Sequence, residues 1–120
     1  MNVIDATKSY EAWLAKQIDL LEGDLKKKHE QMAADVFPFL RATYYRWAQV
    51  WPETAPRLAA GQRVLAVGDL HVENFGTWRD AEGRLVWGVN DLDEAAELPF
   101  TLDLSRVAVS AVFASRRHGL

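Results

Sequence analysis

Cysteine is absent from the 120 residues, which excludes a disulfide framework and any thiolate metal site and fits a reducing compartment. Basic charge is also short: 14 Lys and Arg stand against 17 Asp and Glu, a formal net charge of −3. A protein whose main task is to coat nucleic acid carries a basic face, so a nucleic-acid partner is not expected, and Lys26-Lys27-Lys28 is the one basic run, read as a solvated helix face. No apolar stretch approaches the roughly 18–20 residues that span a bilayer. Met1 to Asp5 lacks the basic-then-apolar pattern of a signal peptide. These absences predict a cytoplasmic chain without a membrane segment. What is present, 49% hydrophobic and 26% charged residues, suffices for one small domain with a real core.

The first half has helical periodicity. From about Ser9 to Met32, Tyr10, Trp13, Leu14, Ile18, Leu21 and Leu25 recur at three- and four-residue steps, which predicts one helix weakened at Gly23. A second helix is expected from about Asp35 to Trp51, with Pro38 in its first turn and the Trp51-Pro52 step ending it. Residues 52–62 read as a connector. The period then changes. Arg63 to Val67 is a short apolar run, expected as a buried strand ending at Gly68. Phe75 to Arg79 and Arg84 to Val89 flank the turn sequence Asp80-Ala81-Glu82-Gly83, which predicts a β-hairpin. A loop containing Pro99 leads into a closing helix from about Thr101 to His118, with Leu102, Leu104, Val107, Val109 and Val112 expected to be buried. The expected fold class is α+β: a helical region over 1–60, and a strand, hairpin and closing helix over 61–120.

The chemistry concentrates in two acidic turns, each following an apolar stretch. Gly68-Asp69-Leu70-His71-Val72-Glu73-Asn74-Phe75-Gly76 is the first, and Asn90-Asp91-Leu92-Asp93-Glu94 the second. An aspartate, an asparagine shortly after it, and an aspartate beyond the next strand is the layout of a phosphoryl-transfer site. Such catalysis rests on positioning and on neutralising charge on the phosphoryl oxygens. Magnesium suits that task because it takes hard oxygen ligands and keeps several waters, so one carboxylate and one amide oxygen suffice. In this reading Asp69 faces the attacking hydroxyl, while Asn74 and Asp91 approach the metal.

These motifs, with the Leu102-Asp103-Leu104-Ser105-Arg106 stretch and the segment from Lys28 to Arg46, resemble the bacterial domain-of-unknown-function family numbered 2252, which is similar to protein-kinase-like and aminoglycoside-phosphotransferase-like enzymes. The resemblance implies part of a protein-kinase-like fold and use of ATP with magnesium. It implies Asp69 as catalytic aspartate, His71 as the loop residue nearest the transferred phosphate, Asn74 and Asp91 as metal ligands, and Asp103 as an anchor below the loop. The acceptor it implies is a hydroxyl of a small molecule or a protein. No glycine-rich flap and no strand-borne nucleotide lysine occur, and Leu92 stands where the family places phenylalanine. The expectation is therefore a fragment holding half a site, inactive alone and able to associate with a complementary segment or with itself.

Blander and rival readings stay open. Asp and Asn after strands are common turn formers, and His71 could be a loop histidine satisfied by its neighbours. Asp93 and Glu94 could reach the metal or form a solvated turn. Asp103 and Arg106 lie at helical spacing and could simply be a surface ion pair. One rival function is a non-catalytic remnant or interaction module. Another is a metal-dependent phosphoesterase, because Gly68-Asp69-Leu70-His71 resembles the opening metal turn of that class, though the further histidines it needs are lacking.

Overall fold

The computed structural model describes residues 1–119. Its architecture is α+β, with six helices and two small antiparallel sheets among the described residues. The chain divides into two compact units, Met1–Thr54 and Ala55–Leu120. No helix among the described residues is long and apolar enough to cross a membrane.

The helical unit contains α1 (Val3–Leu14), α2 (Glu22–Ala34), α3 (Val36–Ala42) and α4 (Tyr44–Thr54). Asn2 caps α1 by accepting from the Asp5 amide at 2.9 Å. The single helix expected from Ser9 to Met32 is instead two. The break falls over residues 15–21, where the Trp13 and Leu14 carbonyls accept from Lys16 and Gln17 in tight three-residue turns. Gly23 lies beyond the break, in the first turn of α2. Leu14, Ile18 and Leu21 keep helical spacing through a segment that is not helical, so periodicity alone could not locate the interruption.

The second expected helix is also divided. Thr43 leaves helical geometry at φ −117° and ψ 30°, and its hydroxyl donates to the Phe39 carbonyl at 2.7 Å, closing α3. Helix α4 does not end at Trp51 but runs through Pro52 to Thr54, since a proline in the last turn removes only one amide from the ladder. Ala6, Phe37, Leu40 and Trp51 are the buried apolar residues of this unit.

The second unit contains α5 (Pro56–Ala59), β1 (Arg63–Ala66), a 3₁₀ turn (Val72–Asn74), β2 (Phe75–Arg79), β3 (Leu85–Val89), β4 (Ala96–Pro99) and α6 (Phe100–His118). The connector thus carries a short helix. The β1 strand is not buried as expected: Leu65 is 82% exposed, and Ala66 alone of its residues is buried. It pairs with β4 in an antiparallel ribbon, Arg63 opposite Pro99 and Ala66 opposite Ala96. The segment expected as a loop around Pro99 is therefore a strand, with the proline at its end, where a missing N–H is tolerated.

The expected hairpin is β2 and β3, paired from Phe75 opposite Val89 to Arg79 opposite Leu85. Its turn is set by the Asp80 carboxylate, which accepts from the amides of Glu82 and Arg84 and from the Arg84 guanidinium, and by Gly83 at φ +80°. Those Arg84 hydrogen bonds hold the Asp80 carboxyl below its usual range. On α6 the expected apolar burial is only partly realised. Leu102 is buried, but Leu104 and Val112 are exposed, and the other buried positions are Arg106 and Ser110. Because Gly83 occupies the left-handed region, Gly83→Ala is expected to destabilise the protein by about 1 kcal/mol, measured by urea unfolding.

Candidate functional site: an acidic loop read by one face of helix α6

Two backbone amides turn the chain off β1. Val67 and Gly68 donate their N–H groups to Oδ2 and Oδ1 of Asp103 at 2.7 and 2.9 Å. Gly68 has φ +88°, a conformation that any side chain would strain, so the turn into Asp69 requires glycine. Asp103 belongs to the first turn of α6 and clasps the root of the loop. It does not pair with Arg106, as the ion-pair reading had it.

Arg106 goes to Asp69 instead. Its Nε and Nη2 both lie 2.5 Å from Asp69 Oδ1, and the arginine side chain is fully buried. One turn further along α6, the Ser110 hydroxyl accepts from the Val72 amide at 3.0 Å and donates to the Val107 carbonyl at 2.7 Å. Residues 103, 106 and 110 share one helical face, so α6 holds the loop at its root, at its aspartate and at its 3₁₀ turn.

Asn74 joins the two acidic turns. It is buried, and its Nδ2 donates to the backbone carbonyls of Asp69 at 3.3 Å and Asp91 at 3.0 Å. Its Oδ1 accepts from the Asp91 amide at 2.8 Å, while its own carbonyl accepts from the Asn90 amide, also at 2.8 Å. Gly76 makes room for this junction, since a Cβ there would lie 2.1 Å from the Asn90 Nδ2. The hairpin thus returns the second acidic turn to the first, and Asp69, Asn74 and Asp91 lie together. His71 is buried beside them, with Nε2 3.9 Å from Asp69 Oδ2, too far for a strong hydrogen bond.

Four carboxylates of the two turns, Asp69, Asp91, Asp93 and Glu94, crowd one another. Partial desolvation, followed by the negative charges of Asp69, Asp91 and Asp93, raises the Glu94 carboxyl above its usual range against the opposing pull of Arg106. Asp91 Oδ1 also accepts from the Asp93 amide at 3.0 Å, which fixes the second turn. Among the described residues no three His, Asp or Glu side chains are grouped so as to hold a metal ion. Asn74 Oδ1 and Asp91 Oδ1 each accept one backbone amide, from Asp91 and from Asp93. Both are hard donors of the kind magnesium takes.

Asp69, His71, Asn74 and Asp91, all expected from the motif, lie at this loop junction. Arg106 and Ser110 were not expected there, although a charged and a hydroxyl residue on the same helical face as Asp103 is the signal that could have found them. Fold and site together define an α+β protein in which a strand-borne loop and a hairpin bring an acidic pair together across one buried amide. Residues 20–120 match the family described as an uncharacterized protein conserved in bacteria, DUF2252, and the chain belongs to that family. No curated protein and no solved structure matches the chain.

Arg106→Met would leave Asp69 without its buried counter-charge, and a loss of about 3 kcal/mol is expected in urea unfolding. Glu94 gives a pH signature of opposite sense. Its carboxyl is raised in the folded state, so its contribution is fully present below the unfolded carboxyl value and is lost as pH rises through the folded one. Glu94→Gln is accordingly expected to be more stable than the parent at neutral pH, with the difference vanishing below about pH 4 in thermal melts.

Proposed function

We propose that the two acidic turns form the catalytic half of a kinase-like phosphotransferase, which moves the terminal phosphoryl group of ATP to a hydroxyl acceptor. The observation that carries this reading is the Asn74 amide, which draws the backbones of Asp69 and Asp91 to one point. Asp69 takes the acceptor hydroxyl's proton on Oδ2 while Arg106 fixes Oδ1, so the carboxylate keeps one orientation. The hydroxyl oxygen then bonds to the terminal phosphorus as its bond to the bridging oxygen breaks, and ADP leaves. Asp91 and Asn74 would hold the magnesium, which when bound supplies the positive charge that offsets the phosphoryl oxygens. His71, buried at the loop and near Asp69, is placed to stiffen the loop or to donate toward the phosphate.

Support for this reading comes from motif spacing, from the convergence of the three residues and from the crowding that raises Glu94. A second reading, a non-catalytic module, draws on the same ion pair: an Asp69 carboxylate committed to a buried arginine has only one oxygen left for chemistry. Calorimetric titration separates the two. Magnesium binding that requires ATP, and that is lost in Asp91→Ala while the protein stays folded, is the expected result. Heat that is independent of nucleotide, or unaltered in Asp91→Ala, would remove the metal assignment. A response to neither ligand would favour the non-catalytic module.

A further inference from the structure

Helix α1 lies outside residues 20–120, which match the family, and it is attached to the rest of the helical unit in an unusual way. Its one buried residue is Ala6, while Ile4 and Trp13 are 62% and 55% exposed. An open trough of about 430 Å³ separates its apolar edge, Val3 and Ile4, from Met32, Ala33 and Phe39. Along this edge α1 is therefore not sealed down by apolar packing.

Polar and aromatic contacts hold it instead. Glu11 Oε1 accepts from Lys28 Nζ at 3.2 Å and from His29 Nε2 at 2.8 Å, both on α2. The Thr7 hydroxyl lies 2.7 Å from the Tyr45 hydroxyl on α4, and Arg46 donates to the Met1 carbonyl at 2.6 Å. Tyr10 stacks on Tyr45 at 4.3 Å, with the Lys28 ammonium 5.4 and 5.8 Å from the two ring centres. Burial pushes the Glu11 carboxyl up, but the hydrogen bonds and charges of His29 and Lys28 outweigh it and hold the group below its usual range.

From this arrangement we infer that α1 is a detachable arm, latched by the Glu11 carboxylate between Lys28 and His29 and able to leave α2 and α4 without unfolding them. Local openings of this kind occur where few apolar contacts tie an element down. The larger buried apolar residues of the unit, Phe37, Leu40 and Trp51, lie in α3 and α4, while α1 contributes Ala6. Release would bare a face carrying Lys28, His29 and the Tyr45 ring.

Hydrogen–deuterium exchange on the full chain tests the latch. In Glu11→Lys the like charges at α2 should expel the arm, and amides of Val3–Leu14 should exchange roughly tenfold faster while α2, α3 and α4 keep their protection. Adding Lys28→Glu to that variant restores an opposite-charge pair and should return most of the lost protection. The inference is overturned if α1 keeps its parental protection in Glu11→Lys, if α1 to α4 lose protection together, or if the paired reversal restores nothing.

Discussion

The acidic loop depends on one carboxylate accepting two consecutive backbone N–H groups. Asp103 can meet Val67 and Gly68 because of how the ribbon and the helix are joined. Antiparallel pairing puts the end of β4 opposite the start of β1, and α6 begins at once, with Phe100 donating to the Gln62 carbonyl. The helix then runs back toward the loop, so its first inward carboxylate falls beneath the turn and its next inward side chains fall beneath Asp69 and Val72. Without the Asp103 clasp, the left-handed Gly68 would have no partner fixing its amide, and the direction in which Asp69 leaves the strand would be undetermined.

The ion pair between Arg106 and Asp69 is best understood as positioning. Burying two charges costs desolvation that their attraction only roughly offsets, so such a pair adds little net stability although breaking it is expensive. What it supplies is a fixed carboxylate orientation. The same region carries unfavourable charge, since partial desolvation and then the charges of Asp69, Asp91 and Asp93 raise Glu94. A fold that keeps repulsion at one loop while satisfying that loop's backbone from α6 gives up stability for geometry, a pattern that perturbed carboxyls mark at functional sites.

The legible parts of the sequence were those set by short-range chemistry. The hairpin was readable because Asp80 and Gly83 encode their turn locally, and the meeting of the two acidic turns was readable because the hairpin between them returns Asp91 to the loop of Asn74. Residues 15–21 and Thr43 were illegible as breaks, because apolar spacing continues through them while local hydrogen bonds end the helices. The β4 strand was hidden by Pro99 and by its few apolar residues, since its existence depends on a partner far away in sequence. Leu104 and Val112 looked like core because helical periodicity marks an apolar face without saying what covers it. The alternative reading of Arg106 as the surface partner of Asp103 failed for the same reason. The arginine's partner is 37 residues away, and spacing along the helix suggested the nearer Asp103.

Paramagnetic broadening offers the most direct test that the two acidic turns share one cation. Manganese(II) can stand in for magnesium at oxygen donors, and it broadens amide resonances near it. With ATP present, a trace of manganese should broaden the amides of Asp69, Asn74 and Asp91 before those of the hairpin turn at residues 80–83. Broadening centred elsewhere, or its absence from all three residues, would contradict the account.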